Sequence, residues 1–272
     1  MSVEIGVILP TSTPDPTMPI LEDVRASARY AEELGLDSVW STDHLIASGP
    51  ILESSVVLAT AAAVTERITV GYNVMLLALR TVAWAAKQVS TLQLVSDNRL
   101  VLGVGTGNPV HGDIGWRAAG LEFAERGRLT DEALAVLPDL ISGKPTTVKQ
   151  VPVGAEFAWE LQLTISPGSQ VPPIFVAGNG ARAHRRAARY ADGWATIGMS
   201  PDEVRTNLER INELANGKQL KATVVAPQLD PDPVENLAAY EAAGVERVIL
   251  SPTRDWRHDY EQAAELRKRH YD

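Results

Sequence analysis

The sequence predicts a single (β/α)8 barrel, because short apolar strands alternate with helices along most of the chain. Apolar strands without polar alternation are typical of parallel strands that are buried on both faces. The chain has 272 residues, which suits one barrel of about 250 residues. The predicted strands are Ile5–Leu9, Ser38–Ser41, Ile68–Val74, Leu100–Val104, Ile174–Ala177, Ala195–Ile197, Ala222–Val225 and Arg247–Leu250. An open doubly wound sheet is the alternative fold, since periodicity alone does not separate it from a closed barrel.

Three helix-to-strand junctions repeat one pattern. In each, a helix ends at a glycine and a buried strand begins within two residues; the glycines are Gly35, Gly193 and Gly244. Glycine adopts the left-handed conformation that ends a helix, and such short connections are typical of parallel α/β units. Helix starts agree with this reading. Ser200-Pro201-Asp202-Glu203 offers a capping serine, a first-turn proline and a capping-box glutamate.

The stretch 144–173 interrupts the alternation. It contains five prolines and a possible small hairpin formed by Thr146–Gln150 and Glu160–Ile165. We interpret it as an insertion between the helix after strand four and strand five. A single domain is therefore expected over residues 1–272, with 144–173 as an insertion within it.

The composition excludes several classes of function. The chain has no cysteine and only five histidines, and the histidines lack metal-site spacing, so we expect neither a metal nor a thiolate nucleophile. The net charge of −9 argues against nucleic acids and membranes as partners, because both favour a basic surface. The first ten residues do not resemble a signal peptide, and a cytoplasmic protein with a small-molecule substrate is expected.

Functional residues are expected directly after the strands, because active sites of parallel barrels lie at the C-terminal strand ends. Asp43 and His44 follow strand two. A histidine there can exchange a proton with a substrate near neutral pH. The alternative is that Asp43 caps the next turn and His44 is an ordinary loop residue.

Two glycine-rich stretches follow other strands. Gly178-Asn179-Gly180 opens a helix that also contains Arg182 and Arg185, a combination that favours a phosphate at the helix N-terminus. The alternative is a glycine loop followed by a solvated arginine face. The stretch 103–107 lacks the third glycine of the Gly-x-Gly-x-x-Gly pattern, and no helix starts after it, so a dinucleotide-binding loop is not predicted there. Its glycines indicate instead that a flat group packs close to the backbone.

Together these segments resemble the luciferase-like flavin oxidoreductases, and among them the branch that uses coenzyme F420. The resemblance runs in order through residues 3–250. It is carried by Ile5–Pro10, Gly35–His44, Val70–Val74, Leu79–Arg80, Ala86–Leu92, Ser96–Gly107, Phe123–Glu132, Pro173–Gly180 and Ala188–Trp194.

The resemblance implies a site around the deazaflavin ring. Asp43 and His44 match the pair beside the ring, with His44 as proton donor or acceptor. Asn73 and Val74 match a non-proline cis peptide behind the ring. The other cofactor-binding residues implied are Gly105, Thr106 and Gly107 as a wall, Gly178, Asn179 and Gly180 as the phosphate loop, and Arg182 and Arg185 for the anionic tail.

The expected function is hydride transfer between F420 and a small organic substrate, in a homodimer. FMN is the alternative cofactor, in a luciferase-like monooxygenase, although the FMN-using branch more often has Glu-His in place of Asp-His. A cofactor-binding protein without turnover is a third alternative, suggested by Asn108 where some F420-dependent dehydrogenases carry glutamate. That difference, and Leu45–Ser48 where those enzymes carry a tryptophan, argue against sugar-phosphate oxidation.

Overall fold

The computed structural model describes residues 2–12, 21–150 and 159–271. The strands are β1 Glu4–Ile8, β2 Ser38–Ser41, β3 Thr69–Leu76, β4 Leu100–Gly105, β5 Thr146–Gln150, β6 Trp159–Leu163, β7 Ile174–Ala177, β8 Gly193–Ile197, β9 Lys221–Val225 and β10 Val245–Leu250. The α-helices are α1 Val24–Glu33, α2 Ser54–Val64, α3 Val82–Val95, α4 Ile114–Ala118, α5 Arg126–Ile141, α6 Ala181–Tyr190, α7 Pro201–Leu214, α8 Pro233–Ala242 and α9 Trp256–Tyr271.

The main sheet is a closed parallel barrel. Its strands follow the order β1-β2-β3-β4-β7-β8-β9-β10, and β10 pairs with β1 to close the ring. In that closing pair Ile5 lies opposite Val248. The closed barrel confirms the predicted fold class over the open sheet, and every predicted strand is present.

The insertion forms an antiparallel hairpin of β5 and β6, in which Thr146 lies opposite Leu163. The predicted hairpin is confirmed, although β6 spans Trp159–Leu163 rather than Glu160–Ile165. The part of the predicted insertion at 151–158 lies outside the described residues. Side chains of α3 bind the segment between β6 and β7, since Lys87 donates to the carbonyl of Ser166 (2.7 Å) and Gln93 to that of Gln170 (3.0 Å).

The interior of the barrel holds a cluster of seven buried hydrophobic residues, and the largest are Trp40 and Phe175, whose ring centroids lie 5.7 Å apart. Three strand glycines make room for them. A Cβ on Gly6 or Gly71 would overlap the Trp40 ring, and one on Gly103 would overlap the Phe175 ring. The barrel therefore has a solid floor beneath its C-terminal rim, as close-packed interiors require.

Among the described residues, no helix is both long enough and apolar enough to cross a membrane. The described residues likewise place no three His, Asp or Glu side chains together as a metal site.

Candidate active site

The predicted site residues lie near or just after the C-terminal ends of four strands that are neighbours in the barrel. β2, β3, β4 and β7 are consecutive in the sheet order, and parallel strands end on the same rim. Residues 43–44, 73–74, 105–107 and 178–180 therefore occupy one continuous half of the C-terminal rim. The structure brings these distant stretches together.

Asp43 is buried, with 4% of its surface exposed, and it is held by protein donors. Its carboxylate accepts from the Ser54 hydroxyl (2.9 Å), the Leu76 amide (2.9 Å) and both terminal nitrogens of Arg80 (2.7 and 2.9 Å). Arg80 also donates to Glu53 at 3.0 Å. Burial is the largest single influence and acts to lower the pKa of Arg80, but the hydrogen bonds and charges of Asp43 and Glu53 together outweigh it and raise that pKa. Asp43 thus ties the loop after β2 to the end of β3.

His44 is half-buried and lies edge-on to a second histidine, His111, with ring centroids 4.3 Å apart. The Ser48 hydroxyl lies 3.0 Å from Nδ1 of His111. The Asn108 side chain accepts from the Val110 amide (3.1 Å) and so caps the short turn that carries His111.

The surroundings keep His44 uncharged near neutral pH. Burial is the main cause that lowers its pKa, the charge of His111 adds to it, and Asp43 acts in the opposite direction. Because Asp43 is already bonded to Arg80, its pull on His44 does not prevail. A neutral imidazole on this rim can accept a proton from a substrate.

The ends of β3 and β4 form the predicted wall. The Asn73–Val74 peptide is cis, as the resemblance implied. The Val74 side chain packs against Gly105 so closely that a Cβ there would overlap it, and the ring of Trp116 lies over Gly107. Thr106 is half-buried between these glycines.

Gly103 has a different partner. The flat group that packs on this glycine is the protein's own Phe175 ring. Gly105 is likewise buried against the Val74 side chain, so a ligand at this wall would contact half-buried Val74, Thr106 and Gly107.

The β7 end presents an uncapped helix. Gly180 is the N-cap of α6 and no side chain caps this helix; a Cβ built on Gly180 would meet nothing within 4 Å. Such first-turn amides suit an anion. The loop itself is anchored, because Trp194 donates to the carbonyl of Gly178 (2.8 Å) and Thr196 to the side chain of Asn179 (2.7 Å).

The arginines of α6 divide into two sets. Arg182 and Arg185 are exposed. Arg186 is buried, donating to Asp131 and, at 3.1 Å, to the carbonyl of Gly127. Arg126 lies near Arg182, since its pKa is lowered by burial and then by the charge of Arg182. Arg126 and Arg182 therefore place two cations at the start of α6.

Sequence reasoning missed three of these residues. Arg80, His111 and Arg126 received no role in the site, although Arg80 and Arg126 lie in segments that carry the resemblance. Arg80 also had a detectable signal as a lone cation shortly after strand three. His111 had none, because its partners are brought near by the fold.

Two surface cavities of about 440 and 270 Å³ lie elsewhere, lined by the ends of α1 and α9 and by residues that precede β2 and β3. This is the N-terminal end of the barrel, where structure rather than catalysis is expected.

Comparisons with known proteins agree on the family. A family model described as luciferase-like monooxygenase matches residues 3–270. An uncharacterised protein of Mycobacterium tuberculosis is 34% identical over 204 residues, covering 74% of this chain and 68% of the relative. An F420-dependent glucose-6-phosphate dehydrogenase of Microbacterium testaceum is 30% identical over 65% of this chain, and this match spans 52% of that enzyme.

Solved structures share the fold. An F420-dependent secondary alcohol dehydrogenase, in complex with an F420–acetone adduct, aligns over 100% of both chains with a TM-score of 0.77 at 15% identity. The monooxygenase RslO1 from Streptomyces bottropensis aligns over 99% of this chain and 100% of its own, with a TM-score of 0.74 at 16% identity. At these identities the likeness concerns the barrel.

Replacing Asp43 by asparagine should lower the free energy of unfolding by about 3–5 kcal/mol, because it leaves the buried Arg80 charge without its carboxylate. Urea denaturation measures this. The matched control is Glu53→Gln, which removes the exposed partner of the same arginine and should change the value by less than about 1 kcal/mol. Equal effects of the two variants would contradict the assignment of Asp43 as the main partner.

Replacing His111 by glutamine should raise the pKa of His44, because it removes a positive neighbour. The protonated, inactive-base form of His44 then persists to higher pH, so the acidic limb of any His44-dependent rate moves upward. Imidazole C–H resonances followed through a pH titration report the shift without cofactor. His258→Gln, at an exposed histidine in the first turn of α9, is the control. An unchanged or lower pKa of His44 in the His111 variant would refute the coupling.

Proposed function

We propose that this chain, which belongs to the luciferase-like monooxygenase family, transfers a hydride between coenzyme F420 and a small organic substrate. That it is an oxidoreductase follows from the family and from relatives named F420-dependent dehydrogenases. One observation supports the proposal of hydride transfer with F420. A neutral His44, the wall at the end of β4 and the uncapped start of α6 lie together on one half of the C-terminal rim.

The residues present fit a deazaflavin cofactor. Gly180 leaves open space over the first-turn amides of α6, which suits a phosphate, and Arg182 and Arg185 suit an anionic tail. Gly105 itself is buried against Val74, so a ring would rest on half-buried Val74, Thr106 and Gly107. When bound, F420 supplies the carbon that accepts or returns a hydride.

The chain's own contribution is proton transfer and orientation. For an alcohol substrate, neutral His44 accepts the hydroxyl proton while the carbon loses a hydride. For a carbonyl substrate, the protonated form of His44 donates the proton to oxygen. Holding the substrate beside the cofactor removes most of the entropic barrier. We propose that Asp43 acts through Arg80 and the Leu76 amide, positioning the His44 loop; direct catalytic and cofactor contacts of Asp43 stay predictions.

An FMN-dependent monooxygenase is the second candidate, and the family description favours it. The cofactor-binding protein without turnover is not favoured, because the family and the named relatives support an enzyme.

Parallel fluorescence titrations with F420 and FMN test the cofactor. We expect saturable binding of F420 and weaker binding of FMN. The double variant Arg182→Ala, Arg185→Ala should weaken F420 binding about tenfold, because each exposed ion pair contributes up to ~1 kcal/mol. Arg189→Ala, an exposed arginine in the last turn of α6, is the matched control. Absent F420 binding, or tighter binding of FMN, would overturn the proposal.

The homodimer is also a proposal, and we assign it to the outer face of α2 and α3. Val56 and Trp84 expose 66% and 68% of their surface there, and α2 contains no charged residue. Two copies of a chain with net charge −9 repel each other least at an uncharged face. Light scattering should give twice the chain mass of 29.3 kDa; a monomer that persists at high concentration would rule this out. The cytoplasmic location stays a prediction.

A further inference from the structure

The loops beside His44 are uncharged. Residues 44–52 and 106–112 contain no Asp, Glu, Lys or Arg, although charged residues make up 22% of the chain. These loops follow β2 and β4, so they flank the rim next to the wall. The loops therefore present an uncharged surface beside His44.

The two loops are packed together. The ring contact of His44 with His111 and the contact of Ser48 with His111 join them. The start of α4 also packs on the loop after β2, because a Cβ on Gly115 would come within 3.2 Å of the backbone nitrogen and oxygen of Ile46. The loops therefore form one surface.

Four aliphatic side chains stand exposed on this surface, which we call the apolar collar. Leu45, Ile46, Val110 and Ile114 expose 55%, 42%, 71% and 44% of their surface. Ile46 makes one of the contacts described above. Leu45, Val110 and Ile114 are the chain neighbours of His44, His111 and Gly115, which make the others. Single exposed aliphatic residues are common, but a group around two imidazoles marks a binding surface for an apolar molecule.

The nearby cations do not serve this surface. Arg80 is paired with Asp43 and Glu53, and Arg117 on α4 lies 3.6 Å from Asp113. Arg182 and Arg185 stand after β7, beyond the wall. A phosphate or carboxylate on a substrate would therefore lack a cation from either collar loop.

We propose that the apolar collar selects uncharged, largely apolar alcohols and carbonyl compounds, an inference that rests on the proposed function. In the oxidative direction the substrate C–H bond breaks and its electron pair leaves as hydride to oxidised F420. The O–H proton passes to His44 and the C=O bond forms, so the substrate is oxidised by two electrons and the cofactor reduced by two.

A homologous series tests the collar. With F420-loaded protein, kcat/KM for 2-propanol, 2-butanol, 2-pentanol and 2-hexanol should rise about threefold to fourfold per methylene, the factor expected for burying a CH2 group. Val110→Ser and Leu45→Ser should flatten this slope. The matched control is Leu214→Ser, because Leu214 exposes 50% of its surface at the end of α7 and should leave the slope unchanged.

Calorimetry supplies a second readout that does not need turnover. Affinity of F420-loaded protein for 2-butanone, 2-pentanone and 2-hexanone should rise with chain length and show a negative heat-capacity change. A flat series in either readout, or preference for glucose 6-phosphate, overturns the collar inference while leaving F420 binding intact. Failure of F420 to bind in the separate titration overturns the proposed function itself.

Discussion

The buried carboxylate of Asp43 is the interaction on which the rim depends. A lone charge at this depth would be strongly unfavourable. It persists because four hydrogen bonds from Ser54, the Leu76 amide and Arg80 compensate it. These donors belong to the start of α2, the end of β3 and the residues just after it. One side chain thus fixes two neighbouring strand ends relative to each other, and His44 follows it directly in the chain.

This bonding also shapes the chemistry of His44. An aspartate that is saturated by an arginine stabilises an imidazolium poorly, so burial and His111 dominate and the pKa of His44 falls. The rim rests in turn on the aromatic floor. Trp40 and Phe175 fit inside the barrel because Gly6, Gly71 and Gly103 leave room for their rings. Ligands are therefore confined to the top of the barrel, where the loops differ most between barrel enzymes.

The elements were predictable from local patterns, and most contacts were not. Apolar runs and the left-handed glycine stops at Gly35 and Gly244 located strands, whereas Gly193, predicted as a third stop, is instead the first residue of β8. Closure depends on β1 pairing with β10, which has no local signal. Grouping residues by strand end predicted the rim, and the resemblance predicted the cis peptide at Asn73–Val74. The Asp43–Arg80 pair joins residues 37 apart, and Ser48 contacts His111 across 63 residues. Arg182 and Arg186 are four residues apart and lie on the same face of α6, so their spacing does not predict that only Arg186 is buried. The difference comes from the contact of Arg186 with Asp131 on α5.

The proposed function depends on four consecutive strand ends forming one binding site for a ring and its phosphate. A crystal structure of the protein soaked with oxidised F420 would locate both groups. We expect the ring between His44 and half-buried Val74, Thr106 and Gly107, with the phosphate at the start of α6. A ring bound at the other end of the barrel, or a phosphate remote from Gly180, would contradict this expectation.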